Sequence, residues 1–296
     1  MKSKLITLLL ISILFNSIGL QAKSKVDLKL NFKKGAAYEM TTVLNSVTEQ
    51  VMNGTKMKVD QKMETGFSFQ VLDIYPNKNF LVEYSIRKMK IYVSMNGQER
   101  SFDSETNNGD NSMTDMLNSL PKIKLEVTPQ GKIIRVEEID LSTLVGENLM
   151  MQFMHVFLGN RSLEVYMGQM FNYFPEASVG EGDKWSTTVR LANLMNLESP
   201  MNYEVIAHEK GQMTLKVTSE ENSTTPIEKD GIAIEMKKIG KQSGTMTIDT
   251  KDGWIRSSEL AQKFNLNMKT KDPKTQLDTE IPISSDSVFK ISVVKK

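Results

Sequence analysis

Apolar and polar residues alternate through most of this chain, and the turns between the alternating runs are legible. Leu28, Leu30 and Phe32, and then Met57, Val59, Met63, Phe67, Phe69 and Val71, keep the period of two expected of half-buried antiparallel strands. Asn53-Gly54 and Asn96-Gly97 accept two positive φ angles, so each predicts a tight hairpin. Pro76 to Asn79 predicts a turn between strands over 67–74 and 80–93. In the second of these strands the phase slips between Val82, Tyr84, Ile86 and Met89, Ile91, Val93, which places a bulge near Arg87-Lys88. A short helix is expected over 112–120, ended by Pro121, and a hairpin around Pro129-Gln130-Gly131. Strands are expected again over 185–191, 203–208, 213–217, 232–236, 245–250, 254–268 and 288–293, with a looser stretch over 192–200.

Between the two alternating halves the period changes. Asp140 is a candidate N-cap, and from Leu141 to Phe174 the apolar residues follow the 3.6 spacing of helices punctuated at Gly146 and Gly159-Asn160 and stopped by Pro175. Phe153, Met154, Phe157, Met167, Met170 and Phe171 form its Met/Phe-rich face. Flexible thioethers and large rings can fill a closed core or line a hollow, so these six are expected first as core against the sheet and second as candidate ligand-binding residues. The expected fold class is mainly β (α+β): two antiparallel meanders with central helices against a curved sheet.

The halves echo one another. Gly35-Ala36-Ala37-Tyr38 corresponds to Gly182-Asp183-Lys184-Trp185, Val71-Leu72 to Val205-Ile206, and Gly131-Lys132-Ile133 to Gly253-Trp254-Ile255. Hairpin grammar alone produces such strings, so duplication stays open at this level.

The first residues change which part is expected to fold. Lys2 and Lys4 precede an apolar run over 5–20 and then Gln21-Ala22, a secretory signal pattern with cleavage after Ala22 or, second, after Gly19. The expected organisation is a signal peptide over 1–22, an N-terminal β half over 23–137, a helical segment over 138–175 and a C-terminal β half over 176–296. That implies an exported, soluble protein, periplasmic or extracellular, without a transmembrane anchor. Cys is absent, which excludes disulfides, thiol catalysis, Cys-ligated metals and a lipidated N-terminal Cys. Without Lys2 and Lys4 the 37 basic residues fall to 35 against 36 acidic, so nothing steers the protein to nucleic acid.

Chemistry is sparse. The two histidines, His155 and His208, stand apart, and zinc-peptidase, nucleophile-elbow and phosphate-loop motifs are missing. Asp103, Glu105, Asn107 and Asp110 resemble a calcium loop whose glycine and closing glutamate are out of place. Trp185 and Trp254 each sit beside a turn glycine and are expected to cover a strand start. No cofactor or metal is expected. Phe32-x-x-Gly35-x-x-Tyr38, and Phe174-Pro175 leading to Val179-x-x-Gly182-Asp183-x-Trp185, resemble a domain-of-unknown-function family of secreted, Bacteroidetes-type bacterial proteins. That resemblance implies no activity. A curved sheet with helices on its concave face is also similar in architecture to periplasmic lipoprotein carriers. The leading expectation is a non-enzymatic exported protein binding an apolar small molecule, a lipid or acyl chain, between sheet and helices. The alternative is a structural or interaction module with a closed core and an envelope protein as partner, and a carboxylate-based hydrolase comes third.

Overall fold

The computed structural model describes residues 25–52, 54–106, 112–120, 122–137, 170–191, 197–229, 232–271 and 278–296. These residues form one antiparallel sheet of 12 strands and an eight-residue helix, α1 (Ser112–Ser119). The first half supplies β1 (Ala37–Met52), β2 (Thr55–Ile74), β3 (Phe80–Met95), β4 (Gln98–Asp103), β5 (Ile123–Val127) and β6 (Ile133–Val136). The second supplies β7 (Lys184–Leu191), β8 (Leu197–Glu209), β9 (Gln212–Lys229), β10 (Ile232–Asp249), β11 (Ile255–Lys271) and β12 (Asp278–Lys295). The strand order is β6-β5-β3-β2-β1-β12-β11-β10-β9-β8-β7, with β4 on the upper part of β3. Each half is a meander, and the two are joined by the first strand against the last.

The sheet is rolled. Met63 on β2 and Tyr203 on β8 are six strand steps apart, about 29 Å across a flat sheet at strand spacing. Both nevertheless line one cavity. Gly244 on β10 permits part of this curl, because a Cβ there would land on the main-chain oxygen of Glu259 on β11. Alternate residues of every long strand face inward. The phase slip in β3 is a bulge, as its pattern predicts: the β2–β3 register shifts between Gly66 and Phe67, opposite Lys88 and Ile86, so that Ile86 and Met89 are both buried. Outward-facing residues are mostly polar or charged, with ion pairs Lys241–Glu220 (3.0 Å), Lys263–Asp286 (2.9 Å) and Lys290–Glu259 (3.0 Å), among scattered exposed apolar residues such as Val47, Ile239 and Val294.

Aromatic packing closes one end of the roll. Trp254 lies 5.3 Å from Tyr38 in a parallel stack and 4.9 to 5.2 Å from Phe32, Phe69 and Phe171. Leu28, Leu30 and Phe32 belong to this base and are 1–3% exposed. Their alternation suggests a strand, but segment 25–36 carries no ladder beyond an isolated bridge from Val26 to Val179. It crosses the base as an extended lead-in, donating from Leu30 N to Pro129 O (2.7 Å) and from Asn31 N to Asp252 O (2.9 Å). Burying each large side chain is worth about 1.5–3 kcal/mol, enough to hold a segment without neighbours in the sheet.

Several strands run further than their apolar alternation suggests. β10 is continuous where two runs, 232–236 and 245–250, are expected; β9 continues past Val217; β12 begins before Val288; and Leu197–Pro200 of the looser stretch belong to β8. In the extensions many inward positions are Gly, Ser, Thr, Gln or charged, as at Ser219, Glu221, Lys238, Gly240, Gln242, Ser285 and Ser287, which breaks the apolar half of the alternation. The expected helices over 138–169 and the signal segment lie outside the described residues, and only Met170-Phe171 of the central stretch is seen in helical form.

The halves repeat a backbone plan. Gly35 (φ +80) donates to Val71 O at 2.8 Å and Gly182 (φ +87) donates to Val205 O at 2.8 Å. Register shifts follow at Val71/Asp73 on β2 and Val205/Ala207 on β8. Gly131 and Gly253 both have positive φ, and each is pressed by main chain from elsewhere: an added Cβ would meet the carbonyl oxygen of Phe171 at the first and of Lys29 at the second.

Candidate functional site

The inner face of the roll changes character along its length, and the change can be followed row by row through the register. Next to the aromatic base, Thr65, Thr42, Ile291, Ser258, Met246 and Leu215 stand side by side on six neighbouring strands. The following row is Met63, Leu44, Phe289, Leu260, Gly244 and Val217. Above it comes a belt of amides and hydroxyls: Gln61, Ser46, Ser287, Gln262, Gln242 and Ser219. Further up, Lys238 pairs with Glu221 at 2.6 Å, with both side chains at most 8% exposed.

A cavity of about 380 Å³ lies across the first three rows. Leu44, Met63, Met201, Met246, Leu260 and Phe289 make its apolar wall. Thr42, Ser199, Gln242, Ser258, Gln262 and Ser287 contribute its polar atoms, together with Tyr203. The Tyr203 hydroxyl is turned to Asn172 O at 3.3 Å, and burial raises its pKa, so it lines the site as a neutral phenol. Ser258 is 5% exposed, and its hydroxyl has no partner among the described residues. The volume and the mostly apolar lining are those of a small-molecule pocket.

Of the six candidate ligand-binding residues, Met170 lines this cavity, whereas Phe171 is packed edge-on against Trp254 in the base. Phe153, Met154, Phe157 and Met167 lie outside the described residues. Most of the wall comes instead from β1, β10, β11 and β12. Their inward Met, Leu and Phe residues are separated by polar ones, so no run of apolar character draws attention to them.

The densest charged cluster lies below, at the base. Asp252 accepts from Tyr38 (3.1 Å), from Arg256 (2.6 Å) and from the amide of Trp254 (3.0 Å), and Arg256 also reaches Asp249 at 3.0 Å. Burial, with the negative charge of Asp252 close by, raises the Tyr38 pKa above its ordinary value. Each carboxylate is committed to Arg256 and main-chain or phenol donors, an arrangement that pins the β10–β11 turn. Trp185, at the place matching Tyr38, donates to Tyr173 O at 3.0 Å and stacks on Tyr203. Both tryptophans therefore cover strand starts, as expected. Asp103 and Glu105 of the resembled calcium loop pair with Lys90, raising its pKa to about 12, while Asn107 and Asp110 are outside the described residues. The amide of His208 donates to Glu181, and His155 is outside the described residues. Among the described residues no group of three or more His, Cys, Asp or Glu could hold a metal ion, and no helix is long and apolar enough to cross a membrane.

Solved structures with partial likeness include DynF from the dynemicin biosynthesis pathway of Micromonospora chersina, at 7% identity over 92% of this chain and 86% of that one, TM-score 0.20. Pseudomonas aeruginosa OccK7 (OpdD) matches at 5% identity over 89% and 100%, TM-score 0.25. The translocator domain of the autotransporter NalP from Neisseria meningitidis matches at 7% over 89% and 90%, TM-score 0.20. Scores at this level carry no statement about the present chain. No curated protein matches the sequence. Residues 77–255, more than half of the 296, match the family of unknown function DUF6263, and the chain belongs to that family.

Proposed function

We propose that this protein is a non-enzymatic carrier or sensor that shelters an apolar ligand, of lipid or acyl type, inside the rolled sheet. The observation that carries this reading is the cavity of about 380 Å³ whose wall is drawn from both halves, with Met170 of the central stretch at its edge. An interior that is packed tightly at one end and hollow in the middle is how small binding barrels hold a single ligand. The Lys–carboxylate pairs across neighbouring strands of the outer face support a water-facing roll, since a lipid-facing barrel carries an apolar band about 25 Å tall on its outside. The signal pattern over 1–22 supports action after export. The other reading, an interaction module of the envelope, accounts for the aromatic base but leaves the hollow unexplained.

Native mass spectrometry of the purified full chain, with organic extraction of bound material, tests the proposal. The expected result is a stoichiometric apolar adduct that disappears in a folded Leu260→Trp variant. A clean unliganded mass, together with no uptake of a fluorescent apolar probe, overturns it.

A further inference from the structure

The polar atoms around the cavity say which apolar ligand fits, and this step rests on the carrier reading above. Among the described residues no Lys, Arg, Asp, Glu or His lines the cavity. The nearby inward-facing cation, Lys238, is two rows above the amide belt and already holds Glu221 at 2.6 Å. A carboxylate or ammonium entering here would leave water without a counter-ion, and the penalty for such a move is among the largest in protein energetics. Uncharged oxygens meet the opposite situation. The Ser258 hydroxyl is buried, lines the cavity and lacks a partner among the described residues, a condition that costs stability and is relieved by a ligand oxygen within reach. Gln242, Gln262 and Ser287 stand together in the belt and present further donors and acceptors without charge.

We propose that the ligand is an uncharged amphiphile, an alkyl or acyl chain bearing an ester, amide or hydroxyl group. The chain lies along Leu44, Met63, Leu260 and Phe289, and an uncharged oxygen bonds Ser258. The site thereby rejects the free fatty-acid anion, although its chain is equally apolar.

The test uses the full-length protein and displacement of a neutral fluorescent apolar probe at pH 8 by monolaurin, by laurate and by dodecane. The expected order is monolaurin at least tenfold tighter than laurate. Ser258→Ala weakens monolaurin two- to tenfold, leaves dodecane unchanged and does not lower the melting temperature of the empty protein, because the deleted hydroxyl had no partner. Gln262→Lys narrows or reverses the preference by supplying the missing cation. Laurate binding as tightly as monolaurin in the wild type overturns the uncharged-ligand proposal while leaving the carrier reading intact. A probe that never enters, with none of the three ligands bound, overturns the carrier reading and this proposal with it. Equal loss of monolaurin and dodecane in a folded Ser258→Ala variant removes Ser258 from the assignment.

Discussion

The β5–β6 turn leaves Gln130, Lys132 and Ile134 exposed, whereas at the matching places in the β10–β11 turn Asp252 and Trp254 are buried and the Arg256 side chain is only 17% exposed. Backbones at the two turns agree, each with a glycine of positive φ pressed by main chain from a distant segment. What differs is what covers them. The lead-in touches both turns, Leu30 N donating to Pro129 O at the first and Asn31 N to Asp252 O at the second, but at the second Lys29 presses the glycine and Tyr38 stacks on Trp254, whereas at the first Phe171 and Phe174 approach the glycine itself. The shared backbone fixes where the chain reverses, and the side chains decide which reversal becomes the base of the molecule.

The largest way to break this comparison is at the glycines. Gly253→Ala combines an unfavourable φ with a collision against the Lys29 carbonyl, and is expected to cost about 4 kcal/mol or to prevent folding; Gly131→Ala, beside Phe171, is expected to cost about 2–3 kcal/mol. Urea unfolding of the two variants, compared with wild type, measures both. Next come the residues before them. Asp252→Ala leaves Arg256 with Asp249 alone and removes the acceptor of Tyr38, for an expected loss of about 2–3 kcal/mol, against at most about 0.5 kcal/mol for Gln130→Ala on the surface. Equal losses in thermal melts would mean that the turns are not used differently.

Alkaline pH sharpens the contrast. Burial raises the pKa of Tyr38 and Tyr173, so above the ordinary value of 10.0 the unfolded chain releases protons that the folded one retains. Stability is therefore full below about pH 10 and falls as pH rises beyond it. Tyr38→Phe should flatten that fall, whereas Trp185→Phe, at the matching place in the other half, should leave it unchanged; denaturation midpoints at pH 8 and pH 11 check this. The smallest effect is Trp185→Phe at neutral pH, which deletes the bond to Tyr173 O and should cost about 1 kcal/mol in the same assay.

The strands, their turns and the β3 bulge were legible because apolar residues mark the inward side wherever the interior is dry. Legibility stopped where the interior turns polar. Ser219 and Glu221 on β9, Gly240 and Gln242 on β10, and Ser285 and Ser287 on β12 all face inward, and in sequence they look like loop. For the same reason the candidate site was read from the Met/Phe stretch, while Ser258, Gln262 and Leu260 on the facing strands went unnoticed. Pairings such as β1 with β12 leave no local trace, since neither partner's composition names the other.

That pairing also shapes how the molecule forms. Thr48 and Ser285, 237 residues apart, share a hydrogen bond of 3.1 Å in the middle of the sheet. A chain delivered N-terminus first holds β1 with one edge bare until the final strand emerges, so the roll cannot close early. Contacts of such long separation make for slow maturation, and the bare edge is a place where another chain could pair in the meantime. By this order the sheet's full protection against proteolysis arrives only when the last eighteen residues of sheet have docked.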